Sequence, residues 1–324
     1  MSNYGSHTNG TELVSDFSAR VDGRTFLITG PSQGGIGAET AVSLAHAKPA
    51  MLILLGRSLE RIQPVIDAVR ALNTSVQVKF VLVDLASLDS VREAADTILA
   101  DASIPHIDVV INNAALMACP FELSKDGLEM QLAAGFLGHF VLTNRLLPKI
   151  LAAPPGARIV NVSSIGNRAG GIRWDDPNFT AETPDKYDTW AAYGQAKTAC
   201  VLYSIELNRR LSKSTPGVRS YSLNPGAVGT NLGRTLTPEL IRIATIRIMG
   251  REDYMPAFKT LQQGCATTLR AALDPTLEAE DGVYLNDCQL TTDPAWIAPW
   301  ALDAAAAPRL WALAEGLVGE KFDI

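Results

Sequence analysis

Tyr193 and Lys197 stand four residues apart in the run Tyr193-Gly194-Gln195-Ala196-Lys197. On a helix that spacing puts a phenol and an ammonium on one face. A cation beside a phenol favours its ionised form, so the pair suits proton exchange with an oxygen of a bound molecule. Taken alone, such spacing is common on solvated helices, and its meaning depends on what else the chain carries.

A second stretch able to do chemistry lies near the start. Thr29-Gly30-Pro31-Ser32-Gln33-Gly34-Gly35-Ile36-Gly37 follows an apolar run ending at Ile28 and leads into a helical pattern. Glycines let the backbone turn tightly and approach an anion closely, while the N–H groups of a helix start attract it. Gly30, Ser32, Gly35, Ile36 and Gly37 are therefore candidate phosphate-binding residues. The next apolar run ends Leu55-Gly56-Arg57-Ser58, with Arg57 where a carboxylate would mark an unphosphorylated adenosine ribose. A guanidinium favours a ribose 2′-phosphate, so the cofactor expected is NADP(H) rather than NAD(H).

Such residues need elements to position them, and the periodicity predicts those. Short apolar runs near 24–29, 50–55, 77–83, 107–111, 157–163 and 218–223 read as strands. Amphipathic stretches near 36–47, 58–72, 87–101, 126–152 and 188–213 read as helices. The alternation is that of an α/β, doubly wound parallel sheet, a Rossmann fold. One domain over 21–324 is expected, with 1–20 as a flexible N-terminal arm. Two irregular stretches follow strands, 166–188 and 229–256, and the second holds an apolar helical pattern from Leu240 to Met249. Insertions at those strand ends form substrate pockets in such sheets.

Three further segments, Asn112-Asn113-Ala114-Ala115, Ser163-Ser164 and Tyr193 to Lys197, together with Asp84-Leu85 and Asn224-Pro225-Gly226, resemble the short-chain dehydrogenase/reductase superfamily in order and spacing. The resemblance covers roughly residues 22–290. The run Leu137 to Thr143, the long Ser164 to Tyr193 interval and Asn224 to Val228 resemble the retinol-dehydrogenase-like branch; Gly282 to Cys288 resembles its fungal members. The resemblance implies that Ser164 orients a substrate oxygen, Tyr193 is the general acid/base and Lys197 also binds the nicotinamide ribose. It further implies that Asp84 and Leu85 meet the adenine, Asn112 and Ala114 line the cofactor, and Val228 and Thr230 hold the carboxamide. The reaction implied is hydride transfer between the nicotinamide and a carbonyl or alcohol of a hydrophobic small molecule. A homo-oligomer through the helices near 126–152 and 188–213 and a place in fungal secondary metabolism are also implied.

The chain departs from the family pattern in three places. Four residues, Pro31 through Gly34, precede Gly35 after the first loop glycine, Gly30, where three are usual, and alanine stands where glycine is usual after Asn113. Gly135 occupies the position of the asparagine that completes the catalytic tetrad. In the family that asparagine supports a water path to the lysine through its backbone carbonyl, which glycine retains. The loss motivates an alternative, a cofactor-binding homologue with a non-redox role in rearrangement or ligand binding. Gly135 and Gly138 within one helix also point to close packing or altered local geometry. His139, beside Phe140 and Val141, reads as a structural residue.

Composition narrows the classes. With 47% hydrophobic residues over 324, the chain can bury a large core. A net charge of −6 and the lack of a Lys/Arg-rich run argue against nucleic acid. The four cysteines are scattered, without metal spacing, so no metal site is expected. Apolar runs fall short of a transmembrane segment, and the polar start lacks a signal-peptide pattern. A soluble, intracellular, cytoplasmic protein is expected.

Overall fold

The computed structural model describes residues 4–181, 183–214, 217–254 and 256–324, with 213–214 by backbone alone. Residues 1–3 of the expected arm, Glu182 of the first insertion and Met255 of the second lie outside the described residues.

The six expected strands form as β1 (Thr25–Thr29), β2 (Met51–Gly56), β3 (Gln77–Leu82), β4 (Val109–Asn112), β5 (Arg158–Val162) and β6 (Arg219–Asn224). Four more follow, β7 (Ala227–Val228), β8 (Phe258–Lys259), β9 (Tyr284–Asn286) and β10 (Gln289–Leu290). The main sheet runs β10-β9-β6-β5-β4-β1-β2-β3, parallel throughout except for β9 with β10, while β7 and β8 form a separate parallel ladder. Every residue of β1, β4 and β5 is buried, which is why these strands read as near-continuous apolar runs.

Helices cover both faces. On one side lie α1 (Gly10–Asp16), α2 (Ile36–Ala45), α3 (Leu59–Leu72) and α9 (Leu261–Leu273). On the other lie α4 (Leu88–Ala100), α6 (Gly138–Leu151), α7 (Thr189–Ser214) and α10 (Ala306–Val318). The short α5 (Met130–Leu132) leads into α6 through a π-helical turn, Ala133–Leu137. Over the second insertion sits α8 (Pro238–Met249). The strand order reverses between β4 and β1, and the crevice at their carboxyl ends is where such sheets bind ligands.

Two expectations need correction. The segment read as a loose arm carries α1, whose Leu13 and Val14 are buried against α2 and α9. Its apolar positions are too few to show amphipathicity in so short a stretch, yet enough to dock on a surface formed elsewhere in the chain. The helix face implied for a homo-oligomer is covered within the chain. Trp311 of α10 packs edge-on against Phe140 of α6 at 5.0 Å and beside Tyr203 of α7 at 5.9 Å, and Arg145 pairs with Glu320.

Candidate active site

A cleft of about 1990 Å³ opens at the carboxyl ends of β1 and β4, ample for a dinucleotide and a second small molecule. Gly30, Ser32, Gly35 and Ile36 line it. Gly30 has φ +67°, and a β-carbon there would come within 2.8 Å of Ala114 Cβ, so both backbone conformation and packing demand glycine. Gly37 does not reach the cleft. A β-carbon on it would strike Asn113 Nδ2 at 2.5 Å, and its role is to let the loop close on the β4 end. Ser58, Ser87, Thr237 and Thr260 cap α3, α4, α8 and α9, whereas Gly35 leaves the first amides of α2 without a side-chain cap. These donors fit a bound phosphate.

Arg57 is exposed at the cleft wall, and Arg61, in the first turn of α3, also lines the cleft, which sequence reasoning missed. Asp84, Leu85, Ala114, Val228 and Thr230 also line the cleft. Asn112 does not. It is buried, with Nδ2 donating to Thr143 Oγ1 and Asn161 Oδ1, each at 2.9 Å. Its neighbour Asn113 faces the cleft instead and donates from Nδ2 to Thr29 O at 2.9 Å.

Ser164, Tyr193 and Lys197 come together on one wall. Ser164 caps the turn Ile165–Ala169, accepting from Gly166 N at 3.0 Å. A β-carbon on Gly166 would lie 2.4 Å from Tyr193 Cε1 and 3.3 Å from Ser164 Oγ; glycine here lets the phenol approach the serine. Gly194 does the same one step on, where a β-carbon would meet Gly170 N at 2.3 Å. Lys197 is buried, its ammonium 5.7 Å from the Tyr193 ring centre and donating to Val162 O at 2.8 Å. Ser163 pins the same helix, donating from Oγ to Lys197 O at 2.7 Å.

The Gly135 position behaves unlike the tetrad pattern. It lies in the π-helical turn, and its carbonyl accepts the Cys200 thiol at 3.6 Å. His139 is buried with Nε2 2.8 Å from Thr29 Oγ1. Burial, and then the charge of Lys197, push its imidazole down to about 3, so it is neutral and structural. Thr29 Oγ1 in turn accepts from Asn113 N at 2.9 Å and Ala114 N at 3.1 Å.

Beyond the catalytic wall the cleft becomes apolar, lined by Met117, Trp190, Leu236, Ile241, Ile248 and Met249. Helix α8 covers this lobe. It is anchored by Trp190 Nε1 donating to Leu240 O at 3.0 Å, by Arg247 Nε donating to Ala169 O at 2.6 Å, and by the Arg247–Asp188 pair. The three tail tryptophans divide: Trp296 lines the cleft, Trp300 donates to Asn167 O at 3.1 Å, and Trp311 packs outside it. Four cysteines are free, and burial pushes the Cys119 thiol up to about 11. Among the described residues no cluster could hold a metal ion, and no helix is long and apolar enough to cross a membrane.

The glycine-turn cleft and this wall accompany a match of residues 24–175 to the short chain dehydrogenase family; the chain belongs to the short-chain dehydrogenase/reductases, oxidoreductases that use a nicotinamide cofactor. Within them it falls in the retinol-dehydrogenase-like branch. Short-chain dehydrogenase/reductase prx1 of Penicillium roqueforti is 36% identical over 301 residues, spanning 90% of this chain and 83% of that protein. Retinol dehydrogenase 13 of Mus musculus is 35% identical, over 97% and 92% respectively. A solved uncharacterised protein of Mycobacterium paratuberculosis is 31% identical with a TM-score of 0.69, covering 95% of this chain and 98% of its own.

Proposed function

We propose that the protein is an NADP(H)-dependent oxidoreductase acting on the carbonyl or alcohol of a hydrophobic small molecule. The observation that carries this is the continuity of one cleft, with a glycine cradle at one end, Ser164, Tyr193 and Lys197 on its wall, and an apolar lobe under α8. When bound, the nicotinamide supplies the hydride in reduction and accepts it in oxidation. The Tyr193 hydroxyl gives a proton to the substrate oxygen in one direction and takes it in the other. Ser164 Oγ already accepts from Gly166 N, so its own proton is available to the substrate oxygen and to charge developing there.

Lys197, fixed by Val162 O, keeps two further N–H donors for the nicotinamide ribose and places positive charge beside the phenol. Arg57, joined by Arg61, supports the choice of a 2′-phosphorylated cofactor. Asp84, Leu85 and Ala114 would flank the adenosine half, and Val228 and Thr230 the carboxamide. Four free thiols suit a reducing, cytoplasmic setting.

A second possibility, a non-redox role for a cofactor-binding homologue, has one observation in its favour. The Gly135 carbonyl, through which the family's water path runs, is already engaged by the Cys200 thiol.

Titration with NADPH and NADH by nicotinamide fluorescence, followed by a panel of ketones and quinones monitored by absorbance, separates the two. Tighter NADPH binding and turnover lost in Tyr193→Phe, with binding kept, are expected. Turnover surviving in Tyr193→Phe would sink the acid/base assignment, and tight binding without turnover across the panel would favour the second role.

A further inference from the structure

Lys259 and Asp287 form an ion pair at the cleft wall that the proposed chemistry leaves unused. Its place is set by β7, the two-residue strand carrying Val228. Lys259 is the register partner of Val228, and its stem lies so close to Gly226 that a β-carbon there would come within 2.9 Å of Cδ and Cε. Val228 in turn presses on α9, where a β-carbon on Gly264 would lie 2.6 Å from its Cγ2. A two-stranded ladder this short has little stability of its own, so β7 depends on what clasps it.

Side chains supply the clasp. Asn224 and Asn286 are register partners at the carboxyl ends of β6 and β9, and both are buried. Asn224 Oδ1 accepts from Gly226 N at 3.2 Å and from Ile165 N, the residue after Ser164, at 3.1 Å. Asn224 Nδ2 donates to Asn286 Oδ1 at 2.8 Å, and Asn286 Nδ2 donates to Asp287 Oδ2 at 3.2 Å. Asp287 Oδ1 accepts from the Lys259 ammonium, whose stem returns to Gly226. The contacts close a ring that begins and ends at Gly226 and branches to the Ser164 turn.

Asp287 is aimed into this ring by a strained turn. Asp287 and Cys288 join β9 to antiparallel β10, with φ of +47° and +61°. Positive φ at both central positions is the geometry that Asn-Gly ordinarily supplies to a two-residue hairpin. Here the surroundings enforce it: Cys288 N donates to Thr267 Oγ1 at 3.2 Å, and Arg270 donates to Cys288 O. Strain over-determined by its surroundings concentrates at functional sites.

We infer that Asp287 is a positioning residue for hydride transfer. Through Lys259 and Asn286 it holds segment 226–228 at a fixed place relative to the Ser164 turn, so that the nicotinamide and the substrate oxygen share one frame. This rests on the reading above in which Val228 flanks the carboxamide. Asp287 uses both carboxylate oxygens as acceptors. Asparagine has one acceptor oxygen, so Asp287→Asn breaks the ring at Lys259 or at Asn286 while remaining tolerant of positive φ. Lys259→Met keeps the stem against Gly226 and removes the charge.

Affinities for ligands with and without the nicotinamide test it, with no need for turnover. NADPH is titrated by fluorescence against the full chain, and 2′-phospho-ADP-ribose, which lacks the nicotinamide, by calorimetry. Each single variant is expected to weaken NADPH about tenfold, the scale of one charge-assisted hydrogen bond, and to leave 2′-phospho-ADP-ribose within about twofold of the wild type. The double variant should bind NADPH no more weakly than the worse single one, because either change alone opens the ring. A pair that only stabilised the fold would lower Tm without changing the ratio of the two affinities. Should Lys259→Met not fold, as judged by thermal unfolding, Lys259→Gln carries the same expectation. Wild-type NADPH affinity in either single variant, equal weakening of both ligands, or additive losses in the double variant overturns the inference. Failure of the wild type to bind NADPH and NADH alike would overturn the cofactor assignment along with it.

Discussion

Gly135 and Gly138 lie three residues apart on the segment backing the cleft, and alanine at each is expected to shift stability in opposite directions. At Gly135 an added β-carbon would meet Ala196 Cβ at 3.5 Å, an ordinary contact. Alanine loses less backbone entropy on folding than glycine, so Gly135→Ala should stabilise by about 0.5–1 kcal/mol. At Gly138 the β-carbon would lie 2.3 Å from Leu85 O and 3.0 Å from the Leu85 carbonyl carbon. Relief requires one backbone to move by roughly 1 Å against a packed core, and overpacking of that kind costs about 1–3 kcal/mol. After the propensity gain, a net loss of up to about 2 kcal/mol remains.

Urea unfolding or calorimetry reads both; in a chain of this size 1 kcal/mol corresponds to roughly 1–2 °C in Tm. Leu85 also lines the cleft, so Gly138→Ala should weaken cofactor binding while Gly135→Ala preserves it. Equal stability of the two variants would refute the close approach of α6 to Leu85 as the reason for glycine.

Two further outcomes follow from buried groups. The neutral His139 keeps its folded value near 3 against an ordinary 6.5, so its contribution is complete above about pH 6.5 and falls as pH drops toward 3, by up to about 1.4 kcal/mol per unit. Urea unfolding between about pH 7 and pH 4 should therefore be less steeply acid-sensitive in His139→Gln than in the wild type, and identical slopes would count against the neutral, buried imidazole. Leu13→Ala, at a fully buried position of α1, should cost about 2–5 kcal/mol in the same unfolding measurement; no change would mean that the N-terminal segment is not packed as described.

Much of the site was legible because its logic is local. Strand, glycine turn and helix start are consecutive in sequence, so Gly30, Ser32, Gly35 and Ile36 could be located before any fold was known. Tyr193 and Lys197 share a helix face through spacing alone. Gly135 and Gly138 were recognised as anomalies, but their causes differ: one sits in a π-helical turn and the other under the Leu85 carbonyl.

Residue type and short-range spacing therefore determined the βαβ order, the glycine cradle, the phenol–ammonium pair and the arginine at the end of β2. Tertiary structure decided which neighbour of a pair faces the cleft, turning Asn113 toward it and Asn112 into a buried network. It also decided the fates of Trp296, Trp300 and Trp311, the docking of α1, the cover of α10 over Phe140 and Tyr203, and the pairing of Lys259 with Asp287. The division has a physical cause. Local dihedral preferences and periodicity act over a few residues, whereas burial and ion pairing depend on surfaces supplied by chain segments tens to hundreds of residues away.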